Sequence, residues 1–278
     1  MECLKRTRNK RLKVTKMKAT IKLNKSNCCS LSNPAQKAIM NIPGVYGVTV
    51  NSFENTAEVE FTSETNLAII KQLLIEQNIM EEDKFKDKAQ NWDSPKKIEM
   101  ANKFVQFIQK NSLFNKELDI IEAGCGTGLI GLNFVNQVNQ LTMIDNSPSM
   151  LMVLEEKLYE QNLMNVTVIE GTIDDYIGNQ VDKIIIFMAL HHINNIDRFI
   201  DRCYETIRPG GELIIGDLLE EDGSFHYPEK VAHNGFNLSD LNQELKRKEF
   251  KIVKSEIFSS ISKNNREYPQ FVIIAHKN

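Results

Sequence analysis

Residues 120–131 read I-I-E-A-G-C-G-T-G-L-I-G. An apolar run ends in an acid, Glu122, and a glycine-paced turn follows. A short, continuously apolar segment bounded by glycine is how a parallel strand covered on both faces reads. Gly124, Gly126 and Gly128 let the backbone bend sharply and approach a ligand closely, and the turn is expected to open a helix over 128–137. A loop built only for a pyrophosphate would want backbone N–H groups and a positive helix end. A carboxylate at the strand end suits instead a ligand carrying a cation, a hydroxyl pair or both. Asp145 closes the next apolar run, L-T-M-I-D, where a second strand would deliver a group to a ribose. The inferred ligand is a nucleoside with a positively charged tail.

Working outward, strand and helix alternate. Strands are expected at 118–122, 141–144, 166–169, 182–187 and 212–217, with helices at 148–162 and 195–207. Such alternation means parallel strands joined by right-handed crossovers, a doubly wound sheet. A helix near 239–248 is followed by two strand-like runs, 251–258 and 271–276, with no helix between them, so these can pair antiparallel. Upstream, Ser94-Pro95 marks the start of a helix over 94–111 whose apolar positions Ile98, Ala101, Val105 and Ile108 share a face.

The N-terminal third differs. Alternating strands at 18–23, 45–50 and 57–61 and short helices at 34–41 and 66–77 give the order βαββα, with a last short strand near Ile79. That order fits a small ferredoxin-like α+β domain. The expected divisions are a basic disordered tail over 1–16, this domain over 17–80, a charged linker and entry segment over 81–93, and the large α/β domain over 94–278.

Composition narrows the function classes. A net charge of −3 argues against nucleic acid as a whole-surface partner. No apolar run reaches the length of a membrane span. The five cysteines, at 3, 28, 29, 125 and 203, are scattered, which suits a reducing, cytoplasmic setting. The N-terminal Lys/Arg cluster has no apolar core and is not a secretory signal.

Gly126-Thr-Gly128-Leu-Ile-Gly131 formally matches a dinucleotide-binding G-x-G-x-x-G, so an NAD(P)-dependent oxidoreductase is a rival. Against it, the phrase E-x-G-x-G-x-G begins at the strand end itself, with Glu122-Ala-Gly124-Cys preceding the first glycine of the rival motif. At this point the segment from about residue 85 to the C-terminus resembles the class I S-adenosylmethionine-dependent methyltransferases. I-I-E-A-G-C-G-T-G looks like their first motif and L-T-M-I-D-N-S-P-S-M their second. D-K-I-I-I-F-M-A-L-H-H-I resembles their fourth strand and its loop, and I-R-P-G-G-E-L-I-I-G-D the turn into their fifth strand. The resemblance implies a Rossmann-like seven-stranded sheet of order 3-2-1-4-5-7-6.

It also implies a cofactor, S-adenosyl-L-methionine, and residues to hold it. Gly124, Gly126 and Gly128 would cradle the methionine part. Glu122 would lie near its ammonium group through water or backbone. Asp145 would accept both ribose hydroxyls, with Asn146 and Ser147 beside the adenosine and Met150 an apolar neighbour. Thr172 and Ile173 belong to the loop over the adenine, where many relatives carry an acid at the position of Thr172. Met188 and Ala189 would face the sulfonium and the substrate, and Trp92 resembles an aromatic entry segment that closes over the cofactor.

A sulfonium methyl is already activated, so such a protein mainly aligns the reactants, removes a proton and excludes water. His191, His192, Asp217, His226 and His233 are candidate bases; His191, His192 and Asp217 follow strands at the carboxyl edge and are the catalytic residues expected. A metal held by this histidine set fits no ligand spacing. The phrases D-G-S-F-H and H-N-G-F resemble a subset of small-molecule methyltransferases. The front domain resembles the heavy-metal-associated family of copper chaperones, whose loop carries C-x-x-C. Here Cys28 fits the first position, Leu31 stands in the second, and Cys28 with Cys29 are the candidate ligands for a soft metal ion. The sequence therefore points to a cytoplasmic methyltransferase acting on a small molecule. A cofactor-binding adaptor without transfer activity is the alternative from another class.

Overall fold

The computed structural model describes residues 16–23, 34–51, 56–77, 79–80 and 83–278. Cys28, Cys29 and the N-terminal basic stretch up to residue 15 lie outside the described residues. The chain divides into two compact units, Met1–Glu82 and Asp83–Asn278.

In the first unit, β1 (Lys16–Lys22), α1 (Pro34–Met40), β2 (Val45–Asn51), β3 (Thr56–Thr62) and α2 (Leu67–Glu76) follow one another. The strands form an antiparallel sheet in the order β1-β3-β2. β3 alternates half-buried and buried residues, and its Ala57, Val59 and Phe61 join Ile21, Ile39, Ile70 and Leu74 in one core. α2 begins where the Asn66 side chain accepts the Ile69 amide. Among the described residues no strand forms near Ile79. The amides of Ile79 and Met80 both donate to Leu74 O, which wraps the chain around the helix end and buries Ile79 without a ladder partner.

The second unit is a mixed α/β layer built on seven strands, as the alternation of its sequence implied. They are β4 (Asp119–Ala123), β5 (Gln140–Asp145), β6 (Val166–Glu170), β7 (Val181–Phe187), β8 (Ile207–Leu218), β9 (Phe250–Lys263) and β10 (Arg266–Lys277). The sheet order is β6-β5-β4-β7-β8-β10-β9. The pairs from β6 to β8 are parallel, whereas β10 is antiparallel to both β8 and β9. One face packs on α3 (Pro95–Asn111) and the other on α5 (Ile196–Thr206) and α6 (Leu238–Arg247). α4 (Pro148–Glu160) starts behind Ser147, whose hydroxyl accepts the Met150 amide.

Two expectations change. α3 buries Ala101, Phe104, Val105 and Ile108, while Ile98 is 39% exposed. Phe104 takes the central place by stacking on Phe187, ring centres 4.2 Å apart. The helix expected over 128–137 is a run of turns with one 3₁₀ turn at Gly131–Asn133. Its amides bond three residues back, Asn133 to Ile130 O, Phe134 to Gly131 O and Gln137 to Phe134 O. The Asn133 amide group donates to Leu129 O and Ile130 O, and Gln137 to Asn133 O, so side chains take carbonyls an α-helix would need.

Candidate functional site

The site lies at the carboxyl edge of the parallel strands, where crossing loops part and ligands of such sheets bind. The loop after β4 is fixed by backbone and by two acids. Gly124, Gly126 and Gly128 have φ of +69°, +52° and +85°, a region L side chains avoid. A Cβ on Gly124 would come to 2.5 Å from the Ala189 Cβ, so this glycine lets the loops after β4 and β7 touch. A Cβ on Gly126 would enter the space beneath Trp92 Nε1, at 3.9 Å, and Met150 Sδ, at 4.0 Å.

Asp145 ends β5 and turns toward this loop. Its Oδ2 accepts the Gly126 amide at 2.7 Å and its Oδ1 the Ser147 amide at 2.9 Å. Burial raises its pKa, the hydrogen bonds from Ser147 and Gly126 oppose that, and the Asp83 charge adds to it. Glu122 is 2% exposed, and its Oε2 accepts the Gly131 amide at 2.8 Å. Burial pushes it up to about 8, against the Gly131 hydrogen bond and with a push from Asp145. Two carboxyls that resist ionising therefore sit at one loop, a setting in which a cation is favoured and a pyrophosphate is not.

The stretch 83–93 crosses this edge as a strap. Asp83 accepts from Ser147 Oγ at 2.8 Å and from the Ser149 amide at 3.0 Å. Burial works to raise its pKa, but the bonds from Ser149, Ser147 and Phe85 prevail and hold it below the usual range. Asp93 accepts from Thr127 Oγ1 at 2.5 Å and pairs with Lys157, whose ammonium also donates to Thr127 O at 2.6 Å. Trp92 stands edge-on to Phe85 at 5.4 Å, and Lys97 Nζ lies 2.9 Å from its ring centre. Lys88 pairs with Glu229 on the loop after β8.

The second half of the site is a histidine cluster. Phe187 at the end of β7 pairs in register with Gly216, one residue before Asp217 on β8. The turn after β7 thus falls beside Asp217. His191 Nδ1 lies 2.7 Å from Asp217 Oδ1, and the His191 amide donates to Asp217 Oδ2 at 3.2 Å. The aspartate accepts, so the tautomer this contact selects carries its proton on Nδ1. His191 Nε2 is buried with no partner among the described residues. His192 and His226 lie against this ring, centroids 4.2 and 4.6 Å away. Burial, then repulsion from His191, holds both at about 4, so both are neutral at pH 7. His226 Nε2 is likewise buried and unpartnered. Phe85 and Phe225 close the cluster, at 5.9 Å from His192 and 4.8 Å from His226. Among the described residues no group of three His, Cys, Asp or Glu side chains is arranged to hold a metal ion.

The structure thus brings Glu122, Gly124, Gly126, Gly128 and Asp145 to one loop, and His191, His192 and Asp217 to one cluster. Met188 stands between them at a strained φ of +50°, with Gln270 Nε2 donating to its Sδ at 3.2 Å. Asn146 and Thr172 are exposed near the first group. Ile173 is instead a core residue, 5% exposed, whose side chain packs inward and whose carbonyl accepts from the Tyr176 amide and Arg202 Nε. His233 turns away to Ile193 O at 3.0 Å. Sequence reasoning missed Asp83, Asp93 and Lys157, which nothing local marks. It missed the need for Gly131, although the motif's third glycine signals it: a Cβ there would strike the Glu122 carboxyl.

Comparison with known proteins agrees with this geometry. Residues 120–211 match the family model described as a methyltransferase domain. An uncharacterized methyltransferase of Schizosaccharomyces pombe is 26% identical over 45% of this chain, which spans about half (51%) of that relative. A ubiquinone biosynthesis O-methyltransferase of Coxiella burnetii is 26% identical over 72% of this chain and 79% of its own. In three dimensions, an S-adenosylmethionine-dependent methyltransferase from Aquifex aeolicus superposes with a TM-score of 0.55 at 16% identity, covering 69% of this chain and 98% of that one. A magnesium protoporphyrin IX methyltransferase from Synechocystis, solved with bound S-adenosylhomocysteine, superposes at 0.52 with 15% identity, covering 66% and 83%. Fold, loop and matches define the class: the second unit carries an S-adenosylmethionine-dependent methyltransferase domain. S-adenosyl-L-methionine is its cofactor. The oxidoreductase and adaptor alternatives are not favoured.

Proposed function

We propose that the chain transfers the sulfonium methyl to an acidic hydroxyl of a small molecule, with His191 as general base. The observation that carries this reading is the buried, unpartnered Nε2 of His191, backed at Nδ1 by Asp217. Its loop touches the glycine loop through Ala189 and Gly124. The name of the Coxiella relative, an O-methyltransferase, supports an oxygen acceptor.

When bound, the cofactor supplies a methyl group on a positively charged sulfur. The chain's own residues do the rest. Gly124, Gly126 and Gly128 admit the methionine part. Asp145 accepts the ribose hydroxyls, with Asn146 and Ser147 alongside and Thr172 and the Ile173 backbone near the adenine. Glu122 braces the loop through Gly131, and an ammonium bound nearby would favour its ionised form. Met188 and Ala189 border the reacting centre. His191 takes the acceptor's proton at Nε2, and Asp217 stabilises the imidazolium that results; such base catalysis contributes about 10²–10⁴-fold. His192, neutral and packed on His191, shapes the cluster.

The test is release of S-adenosylhomocysteine with a panel of hydroxylated metabolites. His191→Ala should lower kcat by about 10²–10⁴-fold while S-adenosylhomocysteine still binds. An unchanged kcat would remove His191 from the mechanism. For the first unit we propose a heavy-metal-associated-like module of βαββα order in a cytoplasmic protein. Copper titration of the full chain tests it, and equal binding by wild type and Cys28→Ser would exclude Cys28.

A further inference from the structure

Two imidazole nitrogens of the histidine cluster are buried without partners among the described residues, and base catalysis uses only one. An unsatisfied buried polar atom is costly, on the order of 1–3 kcal/mol, and in a site it marks where a ligand group belongs. His191 Nε2 and His226 Nε2 are both in this state, on rings 4.6 Å apart and tilted by 41°. Asp217 fixes the tautomer of His191, and among the described residues no hydrogen bond reaches the His226 imidazole, whose backbone carbonyl alone is engaged, by the Glu229 amide. The walls around them are aromatic: Phe225 edge-on to His226 at 4.8 Å, Phe85 edge-on to His192 at 5.9 Å, and Trp92 beyond Phe85 at 5.4 Å. Tyr268 closes on Phe225 at 5.0 Å. Of the charged groups around these walls, Lys88 pairs with Glu229 and Arg266 with Asp222, Lys97 and Lys263 lie over the Trp92 and Phe225 rings, and Asp217 is engaged by His191.

From this juxtaposition we infer that the acceptor is a flat, uncharged ring bearing two adjacent hydroxyl groups, one serving His191 and its neighbour held by His226. The inference rests on the proposed function and narrows its substrate class. Transfer forms an O–CH₃ bond and breaks the S–CH₃ bond, whose electron pair stays on sulfur. The proton of the reacting hydroxyl goes to His191 Nε2 and thence to solvent. The second hydroxyl donates to His226 Nε2 and keeps its proton, so one methyl is added per encounter. A monohydroxy ring would leave His226 buried and unpaired and should bind more weakly.

Isothermal calorimetry on the full chain saturated with S-adenosylhomocysteine tests this without turnover, using catechol, phenol and guaiacol as probes. Catechol should bind at least 10-fold more tightly than phenol or guaiacol. His226→Ala should bring catechol down to the level of phenol, and His226→Gln, which preserves bulk and polarity, should fall between. The wild-type comparison needs no variant and so survives any folding defect. Equal affinity for the three probes, or a catechol preference that persists in both variants, overturns the inference. If S-adenosylhomocysteine still binds in that case, the methyltransferase reading stands; if it does not bind at all, both fall.

Discussion

Glu122 shows how one side chain serves fold and site together. It stands next to last in β4, its register partners Met143 and Ile185 are apolar, and its carboxyl accepts the Gly131 amide. That contact explains the third glycine of the motif and the irregular turns that replace a helix. The acid itself was legible in the sequence, because a charge closing an apolar run is conspicuous; its direction was not, because a one-dimensional pattern carries no rotamer. The pH consequence follows by linkage. Glu122 is held at about 8 in the folded chain against 4.5 when unfolded, so the native state keeps a proton the unfolded state releases. The stability this contributes is complete below about pH 4.5 and is lost as pH rises through about 8, with a slope no steeper than about 1.4 kcal/mol per pH unit. Glu122→Gln should flatten this part of the stability–pH curve in denaturant titrations. An identical slope in the variant would show that another group is responsible.

At the scale of elements, strands were readable and straps were not. β4, β5, β7 and β8 announce themselves as apolar runs closed by acid, glycine or turn residues. The histidine pair after β7 was placed at the correct edge, and the parallel pairing of β7 with β8 explains why Asp217 meets His191 rather than His192. The segment 83–93 reads as polar linker because each of its anchors is a long-range side-chain bond. Asp83 reaches Ser147 and Ser149, and Asp93 reaches Thr127 and Lys157. No periodicity encodes such pairs. With Trp92 near Gly126, this strap lies against the loop proposed to receive the cofactor. Asp93→Asn should loosen it: amide hydrogen exchange over 83–93 should quicken by about 5–30-fold for an opening made 1–2 kcal/mol easier. Unchanged exchange would mean that Asp93 does not latch the strap.

For the whole molecule, the two edges of the sheet divide the work. The carboxyl edge carries the proposed site. The opposite edge is closed by a buried polar network in which Lys183 pairs with Glu212 and donates to Ser112 at 2.9 Å, while His276 Nε2 meets Glu212 at 2.9 Å. Burial works to raise the Glu212 pKa, but bonds from Lys183 and Ser112 outweigh it and hold the carboxyl low. Its stabilisation is therefore present above the ordinary carboxylate range and lost as pH falls. Removing one partner leaves a buried charge alone, so Lys183→Met should cost about 3–5 kcal/mol in chemical denaturation; a loss below 1 kcal/mol would show that the pair is dispensable. Sequence patterning exposed the seven-stranded layer, since apolar periodicity is what builds it, but not this network, whose members lie far apart in the chain.

Asp145 and the glycine loop are proposed to hold an adenosyl sulfonium ligand, and calorimetry with S-adenosylhomocysteine measures that directly. Wild type should bind one equivalent, and Asp145→Asn should bind about 10–100-fold more weakly, as expected for hydrogen bonds to a charged group worth about 1.5–3 kcal/mol. Absence of binding to wild type, or equal affinity in the variant, would contradict it.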